Sequence, residues 1–360
     1  MTNSNKFNIT ADILKEEEND YFLTIAKDNF YFAKQFFIAI EDDVLVAKSN
    51  GEIIGGVILK SVKFANKKVG IISWIFTVKE VRGKGVASLL LDKAINHLKF
   101  LGHNEIIASI DGSNTSSSNL FSKKNFAIQS FYSLIKKYGI GYFSLASKTN
   151  QFFNQGSFIW VLSREKVVNN EFFDLIVSSL INILASIIIF LSPLNFIFKA
   201  SLLSIIMSVF LLHLVRFYSM KYASKVLEYK TMFRIWPSGF FYTITTSVLG
   251  LYIASPGNFF PESKGWKYKD YVPSLSKISI VGVSSVLFLV LIASIANNFV
   301  VNESFSSFLS TIKYLGLSLV VFDLFLFFNP FNNTNGKRIF DFSKSIFSIL
   351  VLITLIAIFL

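Results

Sequence analysis

The distribution of apolar and polar positions divides the chain near residue 170. Before that point, short apolar runs alternate with polar turns. After it, apolar runs approach or reach the roughly 20 residues that a helix needs to cross a bilayer. Within the first part, residues 43–48 read as a strand. Ser49, Asn50, Gly51 and Glu52 form a turn, because Asn-Gly readily takes positive φ, and residues 53–64 return as a second strand. A turn at 65–68 leads into a third strand over 70–78, completing an antiparallel meander. Residues 86–101 then change to the period of an amphipathic helix. Residues 105–110 and 157–163 read as further strands. Residues 7–40 begin polar and become rich in Phe and Lys between 21 and 40, which predicts helical segments.

The junction between the third strand and the helix carries the most informative stretch: Arg82, Gly83, Lys84, Gly85, Val86, Ala87 and Ser88. Two glycines at a strand-to-helix turn let the backbone approach a ligand closely. The first helical N–H groups lack intrahelical partners and, with the helix dipole, favour an anion such as a phosphate. Arg82 and Lys84 add positive charge. The spacing matches neither Gly-x-Gly-x-x-Gly nor a Walker loop. An ordinary glycine-containing turn is the alternative.

The spacing does match Arg/Gln-x-x-Gly-x-Gly/Ala, and the segment resembles the pyrophosphate-binding loop of GNAT acetyltransferases. Downstream, Asn114, Leu120, Lys123 and Phe126 fit a second pattern of that family, with Ser117 at a small-residue position and Asn125 in place of glycine. Asn tolerates positive φ. The resemblance covers about residues 8–165. It implies an α+β domain with a mixed, mainly antiparallel sheet and flanking helices. It also implies acetyl-CoA as substrate, held by Arg82 to Ser88, aligned near Thr77 and Val78, and met by Asn114 and Phe121. The family often has tyrosine where Phe121 stands, positioned to protonate the departing thiolate. Phe121 has no proton to give, so the general acid is unassigned, as is the general base. Glu80 and Asp111 lie near the loop and strand ends, where each reads as an exposed, solvated carboxylate. His97 and His103 read as surface residues.

The chain has no cysteine, which excludes disulfides, thiolate zinc sites and cysteine nucleophiles. Its three histidines, His97, His103 and His213, leave little scope for histidine-based metal chemistry. A net charge of +12 would suit nucleic acid. In a chain with a mean hydropathy of +0.52, it instead marks cytoplasmic loops, and no nucleic-acid partner is expected. The N-terminal residues are polar, so no cleavable signal peptide is expected.

In the second part, apolar runs cover 172–191, 196–214, 278–296, 309–328 and 346–360, with a shorter, interrupted run at 240–255. An acetyl-CoA enzyme works in the cytoplasm, so the N-terminal domain starts inside. Arg216, Lys221, Lys225, Lys230 and Arg234 then fall on the cytoplasmic side. If 240–255 crossed fully, Lys264, Lys267, Lys269, Lys337 and Arg338 would lie outside. A re-entrant 240–255 keeps them inside, provided that other protein covers its non-helical backbone. The expected organisation is therefore a GNAT domain over 1–168 and an all-α membrane domain over 169–360 with five spans plus one re-entrant segment.

Segments 213–217, 233–239, 254–257, 277–282 and 329–338 resemble, in order, pieces of the site-2 protease family of intramembrane zinc proteases. That family uses His-Glu-x-x-His and an Asp-Gly pair. Here the corresponding positions are His213, Leu214 and Phe217, and Asn335 with Gly336. One imidazole cannot hold a catalytic zinc, so the resemblance implies a degenerate scaffold with no metal. A plain membrane anchor is the alternative. Asp323, inside an apolar run, requires a partner, for which Arg216 and His213 are candidates.

Two functions emerge. One is a multi-pass cell-membrane N-acyltransferase with a cytoplasmic GNAT domain, transferring acetyl from acetyl-CoA to an unidentified amine. The other is a non-catalytic regulator that captures membrane segments and senses acetyl-CoA, with a membrane protein as partner.

Overall fold

The computed structural model describes residues 9–64, 67–151, 156–163, 169–192, 200–262, 267–326 and 334–360. The elements in the first half are β1 (Ile9–Ile13), α1 (Asn19–Asp28), α2 (Phe32–Gln35), β2 (Asp43–Ser49), β3 (Glu52–Phe64), β4 (Lys67–Thr77), α3 (Val86–Phe100) and β5 (Glu105–Asp111). They continue with α4 (Thr115–Lys123), β6 (Phe126–Ile128), α5 (Phe131–Tyr138), α6 (Gly141–Lys148) and β7 (Ser157–Leu162). Their strands form one seven-stranded sheet in the order β1-β2-β3-β4-β5-β7-β6. All pairings are antiparallel except β4 with β5.

Period-2 alternation sends neighbouring side chains of each strand to opposite layers. Leu45, Ala47, Val57 and Leu59 pack with Leu90, Leu91, Ala94 and Leu98 of α3. Val44, Val46 and Ile58 face the other way, against Phe22 and Ala26 of α1. The β2–β3 turn has Asn50 at φ 53° and Gly51 at φ 86°, as its residue types predict.

Three features differ from the sequence reading. Residues 9–13 join the sheet edge instead of a helical stretch, because Ile9 to Ile13 pair with Leu45 to Ser49. The short β6 and helices α5 and α6 complete the domain; α5 carries the helical period at Phe131, Leu134, Ile135 and Tyr138, which the sequence reading did not assign. His103 is buried, with Nδ1 2.8 Å from the Leu98 carbonyl and Nε2 against the Ser61 hydroxyl, so it clamps the α3–β5 turn to β3. Part of the predicted 65–68 turn lies outside the described residues.

The second half contains α7 (Glu171–Leu191), α8 (Leu202–Val226), β8 (Thr231–Arg234), α9 (Pro237–Val248), β9 (Asn258–Pro261), α10 (Tyr268–Asn297), α11 (Glu303–Phe325), α12 (Asn335–Phe342) and α13 (Lys344–Phe359). Among the described residues, α7, α8, α10 and α11 are long and apolar enough to cross a membrane. The apolar α13 has 16 residues and is shorter. Helix α9 has 12 residues and gives way to irregular backbone. That backbone is covered and bonded: Asn182 Oδ1 of α7 accepts from the Tyr252 hydroxyl at 2.9 Å and from Ser255 N at 3.2 Å. The Ser178 hydroxyl donates to the Ser255 carbonyl at 2.9 Å.

Apolar packing is continuous across residue 168. Trp236 and Phe260 join the α3 layer. Phe158 of β7 meets Phe260 edge to face at 5.0 Å, and Phe131 of α5 meets Phe240 of α9 at 5.7 Å. The β8–β9 ribbon and α9 are thus wedged against the seven-stranded sheet.

Candidate active site

The stretch between β4 and α3 turns as its glycines require. Gly83 and Gly85 have φ of 80° and 87°, and neither has another group close to where a Cβ would project. Gly85 caps α3, so the N–H groups of Val86, Ala87 and Ser88 are first-turn donors without intrahelical acceptors. Arg82, Gly83, Lys84 and Gly85 are exposed. The Arg82 guanidinium is oriented by its Nε–H bond to the Thr77 carbonyl, 3.3 Å, and by an Nη2 bond to Asn29 Oδ1, 3.1 Å. Val78 N donates to the Ile54 carbonyl at 3.0 Å, which holds the end of β4 in place.

The sheet opens beside this loop. Parallel pairing of β4 with β5 covers only Val69 to Ile72 against Glu105 to Ala108. In the β3–β4 ladder, Leu59 faces Ile72 while Ile58 faces Trp74, so Ser73 is the extra residue of a β-bulge. A bulge bends its strand and increases local twist, and here it stands where β4 and β5 part. A cavity of about 280 Å³ occupies the gap.

Its walls come from several elements. Ile75, Trp74 and Ser73 line it from β4, and Ser109, Ile110 and Asp111 from β5. Tyr31, Lys34 and Phe37 come from the α2 region, Lys148 and Asn150 from the end of α6, and Tyr242 from α9. Asn114 and Phe121 also line the cavity, whereas Thr77, Val78 and Arg82 to Ser88 do not. The predicted residues therefore fall into the glycine turn and a separate cavity wall. Asn114 caps α4, its side chain accepting from Ser117 N at 3.1 Å. Phe121 is buried and packs edge to face on Phe126 at 4.9 Å. Asn125 has φ 65°, the conformation for which it substitutes for glycine.

Asp111 departs from the sequence reading. It is only 7% exposed, because β7 pairs along β5 and the cavity walls close around it. Ser113 donates to its Oδ1 from both N, at 2.8 Å, and Oγ, at 2.7 Å. Asp111 is the one carboxylate among the described residues lining the cavity. Its field reaches Tyr31 and Lys34: burial, then Asp111, pushes the Tyr31 phenol up, while burial pulls the Lys34 ammonium down and Asp111 opposes that shift. Glu80 is exposed, and His97 of α3 lies 3.1 Å from Asp43 Oδ2 of β2, neither of which lines the cavity. Sequence reasoning missed Tyr31, Lys34, Trp74, Lys148 and Tyr242, since no local pattern ties α2, α6 and α9 to one gap.

In the second half, His213 is buried and its Nδ1 lies 2.8 Å from the Val209 carbonyl. Phe217, one turn on, packs on Phe233 at 5.0 Å and Phe259 at 5.5 Å. Asp323 pairs with Arg216, whose Nη2 is 3.1 Å from Oδ2. Asn335 donates to Asp323 from N at 2.9 Å and Nδ2 at 2.7 Å, and its Oδ1 accepts from Asn258 at 3.0 Å. No cluster of three His, Cys, Asp or Glu suited to a metal occurs among the described residues. Of the 329–338 segment, the part before 334 lies outside the described residues.

Comparison with known proteins bears on the first half. The family model described as Acetyltransferase (GNAT) family matches residues 10–126. No curated protein matches the chain significantly. Among solved structures, an N-acetyltransferase from Staphylococcus aureus Mu50 is 25% identical, over 34% of this chain and 84% of that one, with a TM-score of 0.28. A GNAT family acetyltransferase from Elizabethkingia anophelis with acetyl-CoA bound is 19% identical, over 44% of this chain and 99% of that one, with a TM-score of 0.31. The glucosamine N-acetyltransferase region of a fungal multi-domain β-N-acetylglucosaminidase is 23% identical over 34% of this chain, with a TM-score of 0.30; the match spans only 17% of that protein. Residues 10–126, with the glycine turn at 83–85 and the strands that part at Ser73, are a GNAT acetyltransferase domain.

Proposed function

We propose that the protein is a membrane-tethered N-acetyltransferase that moves acetyl from acetyl-CoA to an amine. The observation that carries this reading is the opening of the sheet at Ser73 between the glycine turn and a cavity holding Asp111. Within the Arg82 to Ser88 stretch, the first-turn N–H groups of Val86, Ala87 and Ser88 would hold the pyrophosphate, since Arg82 N and Lys84 N already donate to the Lys79 and Val81 carbonyls at 3.3 and 3.2 Å. The β4 edge near Thr77 and Val78 would align the pantetheine by strand-like hydrogen bonds. The thioester would then enter the cavity past Asn114 and Phe121, where Asp111 holds the amine. The ammonium gives one proton to water. The neutral nitrogen attacks the thioester carbonyl, and the C–S bond breaks as the C–N bond forms and nitrogen loses its second proton to water. Water supplies the proton to the thiolate, since Phe121 cannot.

Asp111→Asn tests the assignment. Asparagine keeps an oxygen for Ser113 and removes the charge. The kcat/KM for the amine should fall about 100-fold, the scale of losing one partner of a desolvated charged hydrogen bond. The Kd for acetyl-CoA, measured by calorimetry on the full chain in detergent, should not change. Equal losses in both would show that Asp111 only supports the fold.

The second half is proposed as residues 169–360, with a re-entrant α9 and five spans that include α13. Single cysteines at Val301, Lys267 and Lys344 report its orientation, all three being exposed positions in a chain without cysteine. An impermeant thiol reagent on intact cells should label position 301 alone. Labelling at 267 and 344 would show that α9 crosses completely. The protease-like scaffold is proposed to lack metal chemistry: Asn335 is taken up by Asp323 and Asn258, and Phe217 packs on Phe233. Chelators should then leave both the melting temperature and acetyl transfer unchanged. The substitution of Phe121 for a proton donor favours the second reading, an acetyl-CoA sensor. CoA release during acetylation of an amine would exclude a purely non-catalytic role.

A further inference from the structure

We infer that the acceptor is an amphiphile of the bilayer interface, carrying a primary amine beside an anionic group such as a phosphate. This inference rests on the transferase reading and adds the acceptor's class. Three observations converge on it.

The first is the charge arrangement of the cavity. Asp111 on β5 is matched to an ammonium. Lys34 and Lys148 line the same cavity from α2 and α6. A simple alkylamine would meet two cations and one anion there. A zwitterionic head group places its amine on Asp111 and its anion toward the lysines.

The second is the rim. Tyr31 and Phe37 line the cavity, and beside them Phe32 and Phe36 are 73% and 72% exposed, packed edge to face at 5.0 Å. Ile140 and Phe143, just before and at the start of the α6 whose end brings Lys148 to the cavity, are 88% and 49% exposed. Large aromatic side chains that cluster in the open mark a contact surface, and aromatic residues with nearby lysines suit the head-group layer of a membrane.

The third is continuity with the helical half. Tyr242 lines the cavity from α9, and its neighbour Phe241 is exposed. Helix α9 packs along α7, one of the helices long and apolar enough to span. The cavity wall thus runs directly into the part of the molecule built for lipid. A tail lying on the exposed rings that flank the lining residues in these elements, such as the Phe32–Phe36 pair, would leave the head group in the cavity.

In the reaction, the ammonium held by Asp111 first gives one proton to water. The neutral nitrogen then bonds to the acetyl carbonyl carbon, and the C–S bond breaks with its electron pair on sulfur. The second proton lost by nitrogen reaches the thiolate through water. The products are an N-acetylated amphiphile, free CoA and one released proton.

The test uses the full chain, purified in detergent and reconstituted, with radiolabelled acetyl-CoA. The acceptors are vesicles of phosphatidylethanolamine in phosphatidylcholine, phosphatidylcholine vesicles alone, soluble phosphoethanolamine, and a long-chain alkylamine in phosphatidylcholine. Label should enter the phosphatidylethanolamine fraction, with kcat/KM at least 100-fold above the soluble head group and the alkylamine. Phe32→Ser with Phe36→Ser should raise KM for the vesicle acceptor about tenfold and leave the Kd for acetyl-CoA unchanged. Comparable turnover of the soluble head group or the alkylamine overturns the inference. So does tight acetyl-CoA binding with no transfer to any of the amines, a result that leaves the transferase reading standing. Absence of acetyl-CoA binding by the folded chain overturns both.

Discussion

Gly85→Glu should weaken acetyl-CoA binding by at least 100-fold while leaving the protein folded. Gly85 has φ 87° and caps α3, at the start of the row of free N–H groups. A side chain there meets no neighbouring atoms, so the fold loses only the left-handed strain, about 1–2 kcal/mol. The carboxylate, however, projects where the pyrophosphate is proposed to sit. Two like charges about 4 Å apart repel by about 4 kcal/mol at the effective dielectric of a protein surface, which is more than a hundredfold in Kd. Gly85→Ala carries the strain without the charge and should bind much more tightly than the glutamate variant. The measurement is the rise in melting temperature with saturating acetyl-CoA, which binding to the folded state requires. A glutamate variant that keeps the wild-type shift would remove the phosphate assignment of this loop.

Arg216→Met should destabilise the helical half by about 3–5 kcal/mol, the range seen when one member of a buried ion pair is removed. Both partners are almost fully buried, with side-chain exposures of 2% for Arg216 and 3% for Asp323. The pair ties α8 to α11. Arg216 also donates to the Gly257 carbonyl at 3.0 Å, and Asp323 accepts from Asn335. One substitution therefore loosens α8, α11, α12 and the chain before β9 together. Thermal unfolding in detergent reads the loss. Pairing Arg216→Met with Asp323→Asn removes the stranded charge and keeps an acceptor for Asn335 N, so part of the stability should return. A single variant within about 1 kcal/mol of wild type would show that the pair is incidental.

Legibility varied with how local the determining physics is. The Asn-Gly turn, the 86–101 helix and the glycine junction depend on neighbours in sequence, and the structure places them where periodicity and turn chemistry predict. Asn125 at positive φ belongs with them. The partner of Asp323 was also legible as a short choice, because an ionisable group in an apolar helix requires one. The β1 strand was not legible. Its five residues, Ile9-Thr-Ala-Asp-Ile13, do alternate apolar and polar, but so short a run does not by itself specify a strand, and its place is set by pairing with β2. His103 and Asp111 were misjudged for the same reason: burial depends on which distant strands close over a residue.

The sequence alone determined the chain's two-part character, its loop chemistry and its lack of thiols, because composition, period and motif spacing are local properties. Only the tertiary structure decided that Asp111 is enclosed, that Ser73 is the bulge where β4 leaves β5, and that Tyr242 of α9 completes the cavity. Those outcomes come from contacts between residues far apart in the chain. Such contacts depend on how the sheet twists and which layers pack, neither of which any single segment specifies.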